Sequence, residues 1–299
     1  MEQTQGRPKW LRDFKSLLGV RSQFILHGNI RDVFLWSQKE RAENLTQTLL
    51  QVMSEVGFEG LFKWDPVTEQ VSVSFRHHGE SPNEDTLKTH AGSKQSPRTV
   101  HIGKLADTIE NLTRLKVDDD GAARIPVAFV IDLASRLEAA IGEDDQMKFF
   151  AAMERLSVTA ERCFRGKGQA LLFNPVIWLV HRANDIPFWM TSDNERVKEL
   201  AVPLPDADTR LAFARQQYAE LALKEGSDVG EFAERLSTET HGLTLNALAD
   251  IVSIANTSRK KAGDIDEAID SYRLGDIVAS DDPWQGGQIT KNLRDGEYF

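Results

Sequence analysis

Several side chains in this sequence are of types that do chemistry, but their spacing matches no catalytic or metal-binding pattern. One group of residues of metal-ligating types comprises His77, His78, Glu80, Asp85 and His90. Their spacing fits no zinc motif, and they fall in a polar stretch that the composition predicts to be a mobile loop. We therefore expect no metal site there.

The single cysteine is expected to be inert. Cys163 falls on the apolar face of a predicted helix, so it is not expected to act as a nucleophile together with His181. One cysteine permits no internal disulfide and fits a reducing compartment. The N-terminus carries no signal-like apolar run, and no stretch of about 18 apolar residues occurs. These features predict a cytoplasmic protein without a membrane segment.

The charge balance bears on the choice of partner. Of the 299 residues 40% are hydrophobic, which is enough to fill a core. Lys and Arg number 36 and Asp and Glu number 46, so the formal net charge is −10. Because an acidic surface is repelled by nucleic acid and by anionic membranes, neither is an expected partner.

Short apolar runs alternate with helix-like segments in the first two thirds of the chain. The runs at 126–132 and 176–180 are apolar on both faces, which is typical of strands in the middle of a parallel sheet covered by helices. An earlier run ends in the turn signal Gly28-Asn29. The last third has helical spacing only, with Thr244 as a good N-cap. The sequence predicts an α/β fold with a doubly wound parallel sheet, followed by a small all-helical domain.

The changes in pattern also give domain boundaries. They predict an N-terminal extension (1–20), an α/β domain (21–206) with a polar, loop-like insertion near 76–98, a helical domain (207–274) and a linker or tail (275–299). Because the sequence stops without a helix cap or a polar tail, we expect it to be one piece of a longer protein.

The aromatic residues divide by context. Phe129 and Trp178 lie in the buried strands and are expected in the core. Trp36, Trp64 and Trp189 are expected to be partly exposed at domain edges, which is typical of aromatic residues at subunit contacts.

Four passages, in this order, resemble the AAA+ ATPase superfamily. FVIDLASRL (129–137) is similar to a Walker B strand, and IWLVHRAND (177–185) is similar to a sensor-1 strand. VKELAVPLPDADTRLAFAR (197–215) resembles the passage from the last sheet strand into the lid, and THGLTLNALADIVSIA (240–255) resembles a lid helix. The resemblance implies a sheet of the P-loop NTPase type with a helical lid.

The resemblance further implies a nucleotide site formed by Gly28, Asn29, Asp132 and Asn184. The family's Asp holds Mg²⁺ through water, so ATP and Mg²⁺ are the implied cofactors and Asp132 the implied metal ligand. A simpler interpretation stays open for two of these residues. Asp132 can merely bond the backbone at a strand end, and Asn184 can be an ordinary turn former.

Arg196 lies where the resemblance would place an arginine finger. Such an arginine acts in trans, reaching the nucleotide of a neighbouring subunit. The alternative is a solvated arginine paired with Glu195 or Glu199.

Three departures from the family pattern concern catalysis. The segment HGNIRDVFLW (27–36) has no Gly-Lys-Ser/Thr, which in the family supplies the phosphate cradle and its cation. Leu133 stands where an acid orients the attacking water, and the Thr244-Leu245-Asn246 passage has no sensor-2 arginine. Because phosphoryl transfer depends on positioning and charge, these losses predict a rate lower by orders of magnitude.

Three functions follow as hypotheses. The first is a catalytically degenerate AAA+ module with a structural or regulatory role, assembling with copies of itself or with active AAA+ domains in a ring that remodels or disassembles protein complexes. The second is an active ATPase with an atypical phosphate loop, in which Arg31 replaces the missing lysine. The third is a clamp-loader-like inactive adaptor bound to nucleic acid, which the net charge of −10 disfavours.

Overall fold

The structure is a computed structural model that describes residues 7–35, 42–75, 83–92, 97–116, 124–140, 142–162, 164–165 and 171–274. The chain divides into two compact units. The first comprises residues up to 31 and from 43 to 203, and the second comprises 32–42 and everything from 204 onward.

A seven-stranded sheet organises the first unit. The strands of the described residues are β1 (Gln23–Gly28), β2 (Val33–Phe34), β3 (Glu43–Asn44), β4 (Gly60–Trp64), β5 (Gln70–Phe75), β6 (Arg98–Thr99), β7 (Val127–Ile131), β8 (Phe164–Arg165), β9 (Leu171–Leu172), β10 (Val176–Val180) and β11 (Val197–Val202). The sheet order is β11-β1-β10-β7-β4-β5-β6. The pairs from β11 to β4 are parallel, whereas β5 and β6 are added antiparallel at one side.

The predicted α/β fold is confirmed, and the apolar runs explain its centre. Every residue of β7 and β10 is buried, and β7 is the middle strand of the sheet. Phe129 and Trp178 join one apolar cluster with residues of five helices. The alternate residues Ala128 and Val130 are also fully buried, and because neighbouring side chains on a strand point to opposite faces, both faces of the sheet are covered.

Helices flank the sheet in the first unit and make up most of the second. The first unit has α1 (Lys9–Leu17), α2 (Leu45–Val56), α3 (Glu84–Ala91), α4 (Ile102–Thr113), α5 (Leu137–Ala140), α6 (Glu143–Thr159) and α7 (Phe188–Thr191). The second unit has α8 (Ala207–Glu220), α9 (Val229–Glu239), α10 (Leu245–Thr257) and α11 (Ile265–Leu274). The small all-helical domain predicted after the sheet is therefore present, and its core also includes Leu35.

Helix α3 corrects the prediction of a mobile loop over the polar insertion 76–98. Residues 84–91 of that stretch are helical, while 76–82 and 93–96 lie outside the described residues. Leu87 and Ala91 are buried and stand four residues apart, so they form one narrow apolar stripe on the helix. This stripe packs on the sheet and thereby stabilises the helix. The polar composition of the segment does not predict it.

Trp64 corrects a second expectation, that of partial exposure. Its side chain is only 1% exposed, and its indole N–H donates to the carbonyl of Val100 at 2.8 Å. A buried indole of this kind is stable because its one polar group has an acceptor. Trp189 is 38% exposed, in line with its prediction, and Trp36 lies outside the described residues.

Candidate functional site

The carboxyl ends of the parallel strands bring four of the five predicted site residues to one edge of the sheet. Gly28 ends β1, Asn29 follows it, Asp132 follows β7 and Asn184 lies shortly after β10. The strand order places β10 between β1 and β7, so these exits are neighbours. Arg196 is different, because it directly precedes β11 and therefore lies at the opposite, amino edge.

The loop after β1 has its backbone amides occupied. Gly28 donates to the carbonyl of His181 at 3.1 Å, Asn29 to that of Val202 at 2.9 Å, and Ile30 to that of Gly28 at 2.8 Å. Gly28 has a φ of +96°, and a Cβ there would lie 2.8 Å from the oxygen of Val202. Glycine is thus required by a close approach to β11. A phosphate cradle needs backbone N–H groups that are free to bind the ligand, and these three are already bonded.

Asp132 has its carboxylate between two cations of its own chain. The guanidinium of Arg31 lies 2.7 Å from Oδ1, and the Nζ of Lys63 lies 3.7 Å from Oδ2. The Asp132 side chain is 13% exposed, whereas those of Arg31 and Lys63 are 43% and 38% exposed. Oδ1 also accepts the amide of Leu133 at 2.7 Å. The single negative charge is therefore balanced from within the chain.

Leu133 follows with an unusual backbone conformation. Its φ of +51° places a non-glycine residue in the left-handed region, which costs about 1 kcal/mol. The turn it makes leads into a 3₁₀ segment, Ala134–Arg136, that contains Ser135.

Ser135 and Asp185 connect the exits of β7 and β10. The Ser135 hydroxyl accepts the amide of His181 at 2.7 Å and donates to Oδ2 of Asp185 at 2.6 Å. The amide of Arg182 donates to the same oxygen at 2.9 Å. Partial burial raises the pKa of Asp185, but these hydrogen bonds and the nearby charges of His181 and Arg182 outweigh it and leave the pKa below its ordinary 3.8. Sequence reasoning did not identify this pair, although Asp185 is next to the predicted Asn184.

Asn184 lies in the 3₁₀ turn Ala183–Asp185 with its side chain exposed. Within the part of the chain that the structure describes, the side-chain amide of Asn184 makes no hydrogen bond. Lys63 is the other residue of this edge that sequence reasoning missed. Only its position at the end of an apolar strand could have suggested it.

A comparison with models of known protein families agrees with this architecture. The family model described as "AAA+ chaperone, N-terminal Rossmann-like domain" matches residues 2–203, more than half of the chain. The chain belongs to this AAA+ family. The resemblance to the AAA+ superfamily is thereby confirmed, and membership supports a general AAA+ role.

Two other comparisons were less informative about function. No curated protein matches the chain in sequence. The crystal structure of the FIGL-1 AAA domain in complex with ADP is similar to it, with a TM-score of 0.48 and 11% identity over 91% of this chain and 78% of that chain.

Arg196, the predicted finger of this AAA+ chain, is held against the amino edge of the sheet. Its guanidinium lies over the ring of Phe173, 5.3 Å from the ring centre, and donates to the carbonyl of Val20 at 3.4 Å. Arg162 occupies a matching place over the same ring, also at 5.3 Å. Neither of the ion pairs considered from the sequence, with Glu195 or Glu199, occurs in the structure.

The cofactor implied by the family is magnesium nucleotide, and the described residues do not fit it well. Phosphate binding would require the bonded amides of Gly28, Asn29 and Ile30, and the metal would have to compete with Arg31 and Lys63 for Asp132. Elsewhere in the described residues no group of three or more His, Cys, Asp or Glu side chains is placed to hold a metal ion. His77, His78 and Glu80 lie outside those residues, as does Cys163. No described helix is long and apolar enough to cross a membrane.

Proposed function

We propose that this chain is a catalytically degenerate AAA+ module with a structural or regulatory role in an ATP-driven ring that remodels or disassembles protein complexes. The observation that carries the proposal is the pairing of Asp132 with Arg31 at 2.7 Å. A carboxylate that serves a metal ion must offer its charge to that ion, and this one offers it to a side chain of the same protein.

The chemistry of phosphoryl transfer supports the proposal. Catalysis of that reaction rests on positioning the phosphates and on neutralising their charge, because the protein has little covalent work to do. This chain lacks the Gly-Lys-Ser/Thr passage, has Leu133 in place of an acid, and has the amides after β1 bonded internally. Each loss alone costs about 10²-fold or more in rate, so together they leave no useful activity.

The proposed partners are copies of this chain or other AAA+ domains, together with a protein substrate of the whole ring. Arg196 supports a role in trans, because it lies at the edge of the sheet opposite Asp132 and meets no carboxylate among the described residues. The short helix α7 adds an apolar surface at which a neighbouring subunit could pack. Its Phe188 is 79% exposed and its Trp189 38% exposed.

Titration calorimetry of the purified full chain with Mg-ATP tests the loss of the nucleotide site. We expect no heat of binding at millimolar ATP and no steady-state hydrolysis. The alternative, nucleotide bound by Gly28, Asn29, Asp132 and Asn184, requires binding that Asp132→Ala abolishes. Asp65→Ala is the matched control, because Asp65 is also a carboxylate at a strand exit but bonds only within its own turn. Binding lost in Asp132→Ala and kept in Asp65→Ala would overturn the proposal.

A further inference from the structure

Asp32 is a buried carboxylate whose oxygens are bound by the first turn of a helix far away in sequence. Its Oδ2 accepts the amide of Leu245 and its Oδ1 the amide of Asn246, each at 2.9 Å. Oδ1 also accepts the amide of Val33 at 2.9 Å. Asp32 is 3% exposed and belongs to the same compact unit as α10, although 213 residues separate it from Leu245.

Helices α8 and α9 of this unit are capped by the residue directly before them, whereas α10 also receives a carboxylate from a distant segment. Asp206 and Asp228 precede α8 and α9 and each accepts one amide of the helix it begins. Helix α10 already has such a cap, because Thr244 accepts the amide of Ala247 at 3.1 Å. Asp32 therefore adds a full negative charge on two further amides. This is the arrangement in which helix N-termini hold free anions such as phosphate.

We propose that the Asp32 carboxylate is a built-in substitute for a bound anion and permanently fills an anion site at the N-terminus of α10. This inference goes beyond the proposed function and does not depend on it. Removing the carboxylate opens the site to a free tetrahedral anion. The wild-type protein, whose site is filled, has no such response.

Thermal unfolding of the full chain in phosphate and in chloride, at matched ionic strength, tests this. We expect Asp32→Ala to lower the unfolding midpoint in chloride by about 5 °C, since a charged cap on a buried helix end is lost. Excess inorganic phosphate should then raise the midpoint of this variant by about 2 °C or more beyond the general rise that this stabilising salt gives the wild type. Asp228→Ala is the matched control, because it removes a helix cap from the same unit without removing a carboxylate bound to two amides. It should lose stability and gain no phosphate response.

A phosphate response that is equal in Asp32→Ala and Asp228→Ala, or absent from both, would overturn the proposal. If Asp32→Ala does not fold, Asp32→Asn keeps the shape of the side chain and one acceptor oxygen while removing the charge, and the same comparison applies to it. Hydrogen exchange of the wild type gives an independent result. The amides of Leu245 and Asn246 should exchange at least about tenfold more slowly than those of Val229 and Gly230 at the start of α9, and equal rates contradict the proposal.

These outcomes are separable from the failure of the proposed function. Mg-ATP binding by the wild type would refute the loss of the nucleotide site whatever Asp32 does. A missing phosphate response in the Asp32 variants would refute the internal anion while leaving the degenerate module intact.

Discussion

The two edges of the parallel sheet differ in how their charged side chains are partnered. At the carboxyl edge, Asp132 is paired with Arg31 and Lys63, and Asp185 is bonded by Ser135. At the amino edge, buried neutral amides tie the structure together. Gln23 joins the carbonyl of Met153 to the indole of Trp178, and Asn174 bonds three backbone groups. Two arginines of that edge, Arg162 and Arg196, stack on Phe173 and bond carbonyl oxygens but no carboxylate among the described residues, whereas Arg124 pairs with Glu161.

This difference indicates where the chain is open to other molecules. An edge whose charges are balanced internally has little to offer a charged ligand. Two guanidinium groups without a carboxylate partner among the described residues keep their charge available for one. The chemistry of this family is expected at the carboxyl edge. Arg162 and Arg196, whose charges have no carboxylate partner among the described residues, lie instead at the amino edge.

The largest effect should come from the amide network of the amino edge. Asn174 is 5% exposed, accepts the amide of Val127 at 3.1 Å and donates to the carbonyls of Thr113 and Ile125 at 2.9 and 2.8 Å. Asn174→Ala leaves these backbone groups unpaired in the interior, so it should lower the free energy of unfolding by about 3 kcal/mol. Urea denaturation measures this, with the exposed Asn184→Ala as a control that should change it by less than about 0.5 kcal/mol. Equal effects of the two variants would mean that the network contributes nothing specific.

The Arg31–Asp132 pair of the carboxyl edge should have a smaller effect. A double-mutant cycle with Arg31→Gln and Asp132→Asn should give a coupling free energy of about 1 kcal/mol, because Asp132 is mostly buried but Arg31 is partly solvated. The coupling should fall as salt is added. A coupling free energy of zero at low salt would contradict the interpretation that Arg31 neutralises the charge of the Asp132 carboxylate.

The Ser135–Asp185 bond should contribute to stability at neutral pH and lose this contribution in acid. Because the pKa of Asp185 is lowered in the folded protein, its ionised form stabilises the fold above the ordinary pKa of 3.8, and this contribution is lost as the pH falls through the lower folded pKa. Ser135→Ala removes a bond that lowers this pKa. The stability gap between wild type and variant should therefore narrow, by less than about 1 kcal/mol, as the pH is lowered below 3.8. Unfolding midpoints measured from neutral pH downward test this, and a gap that does not change with pH excludes the linkage.

The smallest effect is expected from the arginines of the amino edge. Arg196→Ala and Arg162→Ala each remove one guanidinium from over the same ring, at the same distance, so each should lower stability by only about 0.5 kcal/mol. Thermal unfolding of the two variants provides the comparison. A clearly larger loss for Arg196→Ala would identify it as a structural residue of its own chain and would count against a role in trans.

The sequence predicted what depends on local pattern. Strands β7 and β10 follow from runs that are apolar on both faces, and α10 begins directly after the predicted N-cap Thr244, which accepts the amide of Ala247. Helix α3 was missed because two buried residues, Leu87 and Ala91, carry its packing within a polar stretch. Trp64 was misjudged because its acceptor, the carbonyl of Val100, lies on another segment.

The candidate site was predicted only as a set of positions. Strand ends locate Gly28, Asn29 and Asp132 on one edge, since parallel strands share their direction. The partners that decide what Asp132 can do, Arg31 and Lys63, come from other segments of the chain, and no periodicity encodes such pairs. The bond between Asp32 and the start of α10 could not be predicted either, because 213 residues separate Asp32 from Leu245.

The placement of residue 32 also has a consequence for how the polypeptide is made and cut. Leu35 belongs to the apolar core of the second unit, and Asp32 to its helix-capping bonds, yet both are synthesised long before α8 to α11. During synthesis on the ribosome, this early segment cannot form these contacts until α8 to α11 have emerged. A fragment ending near residue 203 would leave Leu35 without its core, and a fragment starting at 204 would lack both residues. The helical unit is therefore formed by two separate segments of the sequence, and a single proteolytic cut cannot release it intact.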